Sequence, residues 1–220
     1  MEKLYHKIAP FLFIFTIEEI PGQDMWAIEI GTGAPYNVSL PLVIHQEREA
    51  AVHITAQYES EASSAPIYWM WRISHWSDSS AWEFEAVHHK IRLTNTTQEV
   101  SYFGISHGLN LLTINRSWRM GNYILRTGVG LVLAHPENVV RGKKLSEDTG
   151  MLGWGYYLSG VTAILSVGKR GSVTKSLFAA TEAMISASYA RVPVHSGTAD
   201  VYNVTVHAIF GMGILFQNQN

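Results

Sequence analysis

The sixteen-residue stretch from Val201 to Phe216 is the feature that most constrains what this chain can fold into. Its even-numbered positions are all apolar, whereas its odd-numbered positions include Asn203, Thr205 and His207. A period of two is typical of a β-strand with one apolar and one polar face, but strands of soluble sandwiches usually run about five or six residues. A tilted strand crosses a membrane in about nine to eleven residues. The stretch therefore indicates a strand that faces lipid on one side and a narrow lumen on the other.

The composition supports this interpretation. Charged residues make up 15% of the chain, well below the roughly 25% of ordinary soluble domains. The sequence nevertheless lacks the run of about 18 apolar residues that a transmembrane helix requires. The absence of cysteine excludes thiol catalysis, disulfides and cysteine-ligated zinc, and the net charge of -2 argues against broad nucleic-acid binding. No cofactor motif is present. The histidines have no spacing typical of a metal site, so no metal is predicted.

Alternating runs separated by turn residues continue along the chain. The predicted strands are 26–33, 38–45, 51–59, 67–76, 82–93, 102–118, 123–134, 154–168, 173–190 and 201–216. They give eight strands from residue 51 onward, or ten if the first two also pair, and both counts are even, as single-chain bacterial barrels require. The sequence predicts an all-β fold, an up-and-down antiparallel transmembrane β-barrel of 8 to 10 strands, with one domain over residues 24–220. A soluble barrel is the alternative, but the charges are too few to solvate an exterior.

Two local features of the strand pattern give further expectations. The apolar phase changes within 82–93, which predicts a bulge near His88. The longest polar connection, 135–150, falls at the end of the barrel opposite the C-terminus. The remaining short turns are expected at the C-terminal end. They are 46–50, 77–80, 119–122 and 169–172.

Three residues of the last strand, Gly211, Ile214 and Phe216, have the spacing of a closing signal. In this respect the chain resembles small outer-membrane β-barrel proteins of Gram-negative bacteria. The resemblance implies residence in the bacterial outer membrane, assembly by the barrel-assembly machinery, and outer-membrane lipid and lipopolysaccharide as partners of a monomeric barrel. Residues 1–23 carry Lys3 and Lys7 before an apolar run, which is typical of a signal peptide or an N-terminal segment.

Charged residues on the predicted inner faces form the first candidate site. Charges inside a narrow barrel must pair to offset their desolvation, so we expect an ion-pair cluster that fills a polar, plugged lumen. A proton or ion pathway is the alternative. The predicted lumen residues are Arg72, Glu83, Glu85, Arg126 and Glu182.

A catalytic alternative rests on a second resemblance. Outer-membrane lipid A deacylases use a His and a Ser two residues apart, with a carboxylate that orients the His. Here His75 and Ser77 have that spacing, and Glu83 is a possible orienting carboxylate. The resemblance implies a lipid A-modifying acyl hydrolase. The alternative is that these residues form a polar turn between two tryptophans at the membrane interface, Trp76 and Trp82.

The long predicted loop carries a third candidate set, which could bind lipopolysaccharide phosphates or a partner by charge. Its members are His135, Glu137, Arg141, Lys143 and Lys144. The sequence as a whole favours a non-enzymatic outer-membrane barrel with a structural or binding role. The acyl hydrolase and a narrow pore for small solutes are the alternatives.

Overall fold

The computed structural model describes residues 24–146 and 149–217, so the signal-like segment 1–23 lies outside the described residues. Every regular element in the described part is a β-strand. The strands are β1 (Met25–Asn37), β2 (Leu40–Gln46), β3 (Val52–Ala56), β4 (Tyr58–Glu59), β5 (Trp69–Ser77), β6 (Ser80–Leu93), β7 (Val100–Met120), β8 (Tyr123–Val140), β9 (Lys143–Lys144), β10 (Tyr157–Ser172), β11 (Leu177–Val194) and β12 (Gly197–Gln217). Within these residues the structure contains no helix that is long and apolar enough to cross a membrane.

The sheet closes on itself. Its strand order runs β1-β5-β6-β7-β8-β10-β11-β12, and β1 also pairs with β12. The closing register is antiparallel and extends from Met25 opposite Gln217 to Asn37 opposite Thr205. A ring of eight antiparallel strands results, with no free edge along this seam. The prediction of an up-and-down barrel of 8 to 10 strands is confirmed, at the lower count.

Two positions around this ring are built from more than one strand. The N-terminal part of β12 pairs with β2, and β2 pairs with β3, so β2 continues the line of β1 after a break at residues 38–39. In the same way β3, β4 and β5 follow one another along the next position, because β4 and β5 both pair with β6. The prediction of separate ring strands at 26–33 and 38–45, and at 51–59 and 67–76, was therefore wrong.

The three longest connections between neighbouring positions of the ring all lie at one end of the barrel. One end, which we call the short-turn end, carries the turns 78–79, 121–122 and 173–176 beside Met25 and Gln217. The opposite end carries the connections 47–51, 94–99, 141–156 and 195–196. The turn expected at 46–50 was predicted at the C-terminal end but lies at the opposite end, because β1 and β2 together cross the membrane only once. The turn expected at 169–172 belongs to β10, and residues 135–140 of the expected loop complete β8.

The bulge expected near His88 lies on the neighbouring strand. Along β6 the odd-numbered residues stay on the inner face, from Glu83 through Val87 to Ile91. The pairing partner instead jumps from Leu109 to Ile105, so β7 contains the extra residues. The change of phase in the sequence reflects an interior that turns from polar to apolar along one continuous inner face.

Candidate functional site

A layer of charged side chains fills the middle of the barrel, and Arg72 of β5 is at its centre. Its guanidinium is fully buried. Its Nη2 lies 3.0 Å from Glu85 Oε1 and 2.9 Å from Glu182 Oε2, and its Nη1 lies 3.3 Å from Glu29 Oε2. Arg72 thereby joins β1, β5, β6 and β11 across the lumen.

Two further arginines complete this charged layer. Arg126 of β8 places Nε 2.7 Å from Glu83 Oε2 and Nη1 2.9 Å from Glu182 Oε2. Arg170 of β10 places Nη2 2.6 Å from Glu29 Oε2. The layer therefore contains four carboxylates and three guanidinium groups, all of them paired.

Neutral donors add hydrogen bonds to two carboxylates of the charged layer. Ser74 donates to Glu83 Oε1 at 3.0 Å, and Asn115 of β7 donates to Glu85 Oε2 at 2.5 Å. Removing ions from water costs several kcal/mol per ion unless pairing and hydrogen bonds replace the hydration. The geometry meets that requirement from seven of the eight ring positions, which suits a rigid interior support.

The structure brings together all five residues expected in the lumen and adds Glu29 and Arg170. Glu29 lies in the alternating run WAIEIGTG, where its odd-numbered neighbours are Ala27 and Gly31. The alternation of this run could therefore have predicted that Glu29 points into the lumen. Arg170 was assigned to a turn, and its inward position depends on β10 extending to Ser172.

Apolar clusters lie toward both ends of the barrel, but neutral polar side chains line the inner face next to the charged layer, where His207 bonds Ser186 and Asn203 donates to Asn37. The expectation of a polar lumen therefore holds for the middle of the barrel and not for its ends. Toward the short-turn end, Trp76 packs with Phe178 and their neighbours in a small apolar cluster. Toward the opposite end lies a much larger cluster that includes Phe103, Leu42 and Ile105, each 0% exposed. An eight-strand barrel is just wide enough for its own side chains to fill it, so these clusters close the lumen at both ends. At the short-turn end the interior leaves a cavity of about 60 Å³ beside Trp76 and Arg170.

The outer wall has the opposite character. Large apolar side chains on alternate positions of every long strand are exposed, as on β12, where Tyr202, Phe210 and Phe216 are 43%, 62% and 47% exposed. Trp26, Trp82 and Trp118 are exposed near the short-turn end. An apolar exterior with aromatic girdles around a polar and charged centre is the arrangement that lipid requires of a closed sheet. The chain is a transmembrane β-barrel of the bacterial outer-membrane type.

The proposed catalytic trio is not brought together. Ser77 is exposed at the short-turn end, and the ring of His75 lies against Trp26, with centroids 4.7 Å apart. Glu83 points into the lumen, where it bonds Arg126 and Ser74. Glu83 lies opposite Ser74, which points inward, and His75 follows Ser74 on the same strand. Neighbouring residues of a strand point to opposite sides of the sheet, so the wall separates the Glu83 carboxylate from His75 and Ser77.

The candidate loop residues fall into three places. His135 and Glu137 lie on the outward face of β8, beside the β7 bulge. Arg141 is held at the turn after β8, where it bonds Glu99 Oε1 and Gln46 Oε1. The two lysines form β9 and are exposed. Beyond them the connection presents Leu152 and Trp154, which are 82% and 70% exposed.

One ion pair at this end lowers the pKa of its carboxyl group. Arg191 of β11 places Nε 2.7 Å from Asp200 Oδ1 and bonds the other oxygen through Nη2. These hydrogen bonds hold the pKa of Asp200 below its usual range. The pair lies beyond Tyr202, where the apolar outer face of β12 ends.

Comparison with known proteins finds no matching family model and no matching curated protein. Among solved structures the chain is similar to Ail, the attachment invasion locus protein of Yersinia pestis, with 9% identity, coverage of 88% of this chain and 99% of that one, and a TM-score of 0.40. It is also similar to the outer membrane protein AlkL in DMPC lipid bilayers, with 11% identity, 93% and 96% coverage, and a TM-score of 0.49. It is similar as well to the outer membrane protein OprG from Pseudomonas aeruginosa, with 10% identity, coverage of 90% of this chain and 97% of that one, and a TM-score of 0.42.

Proposed function

We propose that this chain is a non-conducting outer-membrane barrel that acts structurally, or as a binding protein through its longer connections. The observation that carries the proposal is the filled interior. The charged layer centred on Arg72 lies between two apolar clusters, and its guanidinium and carboxylate groups bond one another across the lumen. An ion pathway would need a continuous hydrated route past these groups.

The binding role is supported by the end that carries the longer connections. Bacterial barrels place short turns in the periplasm and longer loops outside the cell, so this end is extracellular in the proposal. Residues 141–156 combine the exposed Lys143 with the exposed side chains of Leu152 and Trp154. Exposed apolar residues and exposed cations on one connection suit an amphipathic or anionic partner, such as lipopolysaccharide.

Lipid and assembly partners follow from the same proposal. In this proposal the protein is a monomer whose apolar outer face contacts membrane lipid. The sheet closes within one chain, so no second copy is needed to complete it. Gly211, Ile214 and Phe216 lie on the closing strand, where the assembly machinery would read them. The positions of His75 and Ser77 at the periplasmic end, with Glu83 inside the wall, give no support to the acyl hydrolase alternative.

Conductance in planar lipid bilayers tests the proposal. We expect the purified, folded protein to give no stepwise current, while a general porin inserted in parallel verifies the bilayer. The variant Arg72→Ala, which opens the charged layer, should produce at most occasional openings. Regular ion-selective steps from the wild type, altered in size by Arg126→Ala, would establish a pore and overturn the proposal.

A further inference from the structure

A bulge in β7 brings a histidine of that strand against the outer face of β8. The pairing of β7 with β8 shifts register between Ile105 and Leu109, so residues 106–108 leave the regular ladder. Gly108 has φ +109, and a Cβ built on it would lie 2.3 Å from His88 Nδ1. Only glycine fits this backbone without displacing its neighbour. The bulge thereby presents His107 on the outside of the wall.

Three potential metal ligands converge at this bulge. His107 Nδ1 lies 3.3 Å from Glu137 Oε1, and His135 Nε2 lies 3.9 Å from the same oxygen. One ligand atom from each of the three residues lies within 4.8 Å of the others. Donors around a tetrahedral zinc ion, bound at about 2.0–2.2 Å, lie roughly 3.3–3.6 Å apart. Small side-chain movements would therefore close the three atoms onto one ion.

We propose that His107, His135 and Glu137 form a binding site for a divalent transition metal ion of the zinc type. Two imidazoles and one carboxylate are a donor set that zinc uses with a fourth, open position. The His107 side chain is 54% exposed, so this position faces solvent. Both imidazoles present a ring nitrogen to the same carboxylate oxygen, the arrangement from which neutral imidazole binds a metal.

Surrounding residues hold the ligands in place. Ser106 donates a hydrogen bond to Glu137 Oε1. The ring of Tyr156 meets that of His135 edge-on, with centroids 4.9 Å apart. Gly155 has φ +71, and a Cβ built on it would lie 2.7 Å from His135 Cε1, so the loop backbone packs directly on the imidazole. Outer contacts of this kind orient metal ligands and tune their affinity.

The position of the cluster on the barrel makes it reachable by ions. Along the outward face of β8, Val129 and Leu131 are 69% and 47% exposed, and His135 and Glu137 follow toward the end with the longer connections. The site therefore lies where the apolar belt gives way to polar side chains. It is separate from the charged layer in the lumen and independent of whether the barrel conducts.

Zinc uptake by the full chain, folded in detergent and free of any histidine tag, tests the proposal. We expect equilibrium dialysis against Zn²⁺ alone to give one bound ion per chain at micromolar zinc. His107→Ala and Glu137→Gln should each weaken binding at least about tenfold. His53→Ala is the matched control, because His53 is an exposed strand histidine on β3, away from the cluster, and should bind as the wild type does.

Cobalt provides a second readout that depends on geometry. The wild type loaded with Co²⁺ should show the intense visible absorption of a four-coordinate site, and His107→Ala should lose it. Unboiled gel mobility will verify that each variant has folded. A folded wild type that takes up no zinc at micromolar concentration, or a folded His107→Ala that binds as tightly as the wild type, overturns the proposal.

Discussion

At the scale of single residues, Arg72 carries the strongest constraint. It bonds carboxylates from three other strands while fully buried. Its removal would leave these buried carboxylates without their common cation. We predict that Arg72→Met lowers the free energy of unfolding by about 3–5 kcal/mol, the cost of breaking a buried ion pair from one side. Urea unfolding in lipid vesicles, followed by tryptophan fluorescence, measures this loss.

A matched arginine on the outside is the control for that prediction. Arg92 bonds Glu59 and Glu61, but its side chain is 41% exposed. Exposed ion pairs contribute at most about 1 kcal/mol, so Arg92→Met should change the unfolding free energy by less than that. Equal losses from both substitutions would mean that the buried layer is hydrated and does not support the fold.

The residues of the charged layer also show how far sequence reasoning reaches. Period-two alternation correctly assigned Arg72 and Glu182 to the inner face, because that assignment needs only local phase. It could not pair Glu29 with Arg170, which are 141 residues apart and meet only when the ring closes. The proximity of His107, His135 and Glu137 was missed for a similar reason, because His107 reaches Glu137 through a bulge that no spacing rule detects.

At the scale of elements, the seam between β1 and β12 decides whether the sheet is a barrel. Ala34 lies opposite Ala208 in the closing register, and both are exposed on the outer face. Opposed antiparallel residues have Cα atoms about 4.5–5.5 Å apart, within the range that a disulfide bridges. We predict that Ala34→Cys with Ala208→Cys forms an intramolecular disulfide in the folded protein.

The chain has no cysteine of its own, so the product can be assigned without ambiguity by mass spectrometry of non-reduced peptides. The control pairs Ala34→Cys with Ala183→Cys, which lies one strand further round the ring opposite Ala208, and should stay reduced. Cross-links that occur only between two chains would show that β1 completes a neighbouring molecule instead of its own barrel.

Element boundaries were the weaker part of the sequence-based prediction. The long strands β7, β11 and β12 were recognised because alternation over many residues is unmistakable. The segments 26–45 and 51–76 were split into too many ring strands, because breaks at 38–39 and 60–68 look like turns in a sequence. Whether such a break reverses the chain or only interrupts it depends on pairing with β12 and β6, which are distant in sequence.

At the scale of the whole molecule, a filled interior inside a closed apolar wall leads us to expect that the barrel unfolds in one cooperative step. Opening the wall exposes groups of the charged layer or of the large apolar cluster around Phe103. We therefore predict heat-modifiable mobility. The unboiled protein in detergent should migrate as a compact band, and boiling should move it to the position of the unfolded chain.

A proline on the closing strand tests whether this resistance comes from the closed ladder. Val206 pairs with Tyr36 on one side and Ile185 on the other, and its side chain is 42% exposed on the outer face. Proline lacks the N–H that the ladder needs, so Val206→Pro should lose the compact band, whereas Val206→Ile should keep it. If the proline variant retained the compact band, the interior layers alone would hold the barrel together. The resistance to detergent would then come from the packed interior, the charged layer around Arg72 together with the two apolar clusters, and not from the hydrogen bonds of β12.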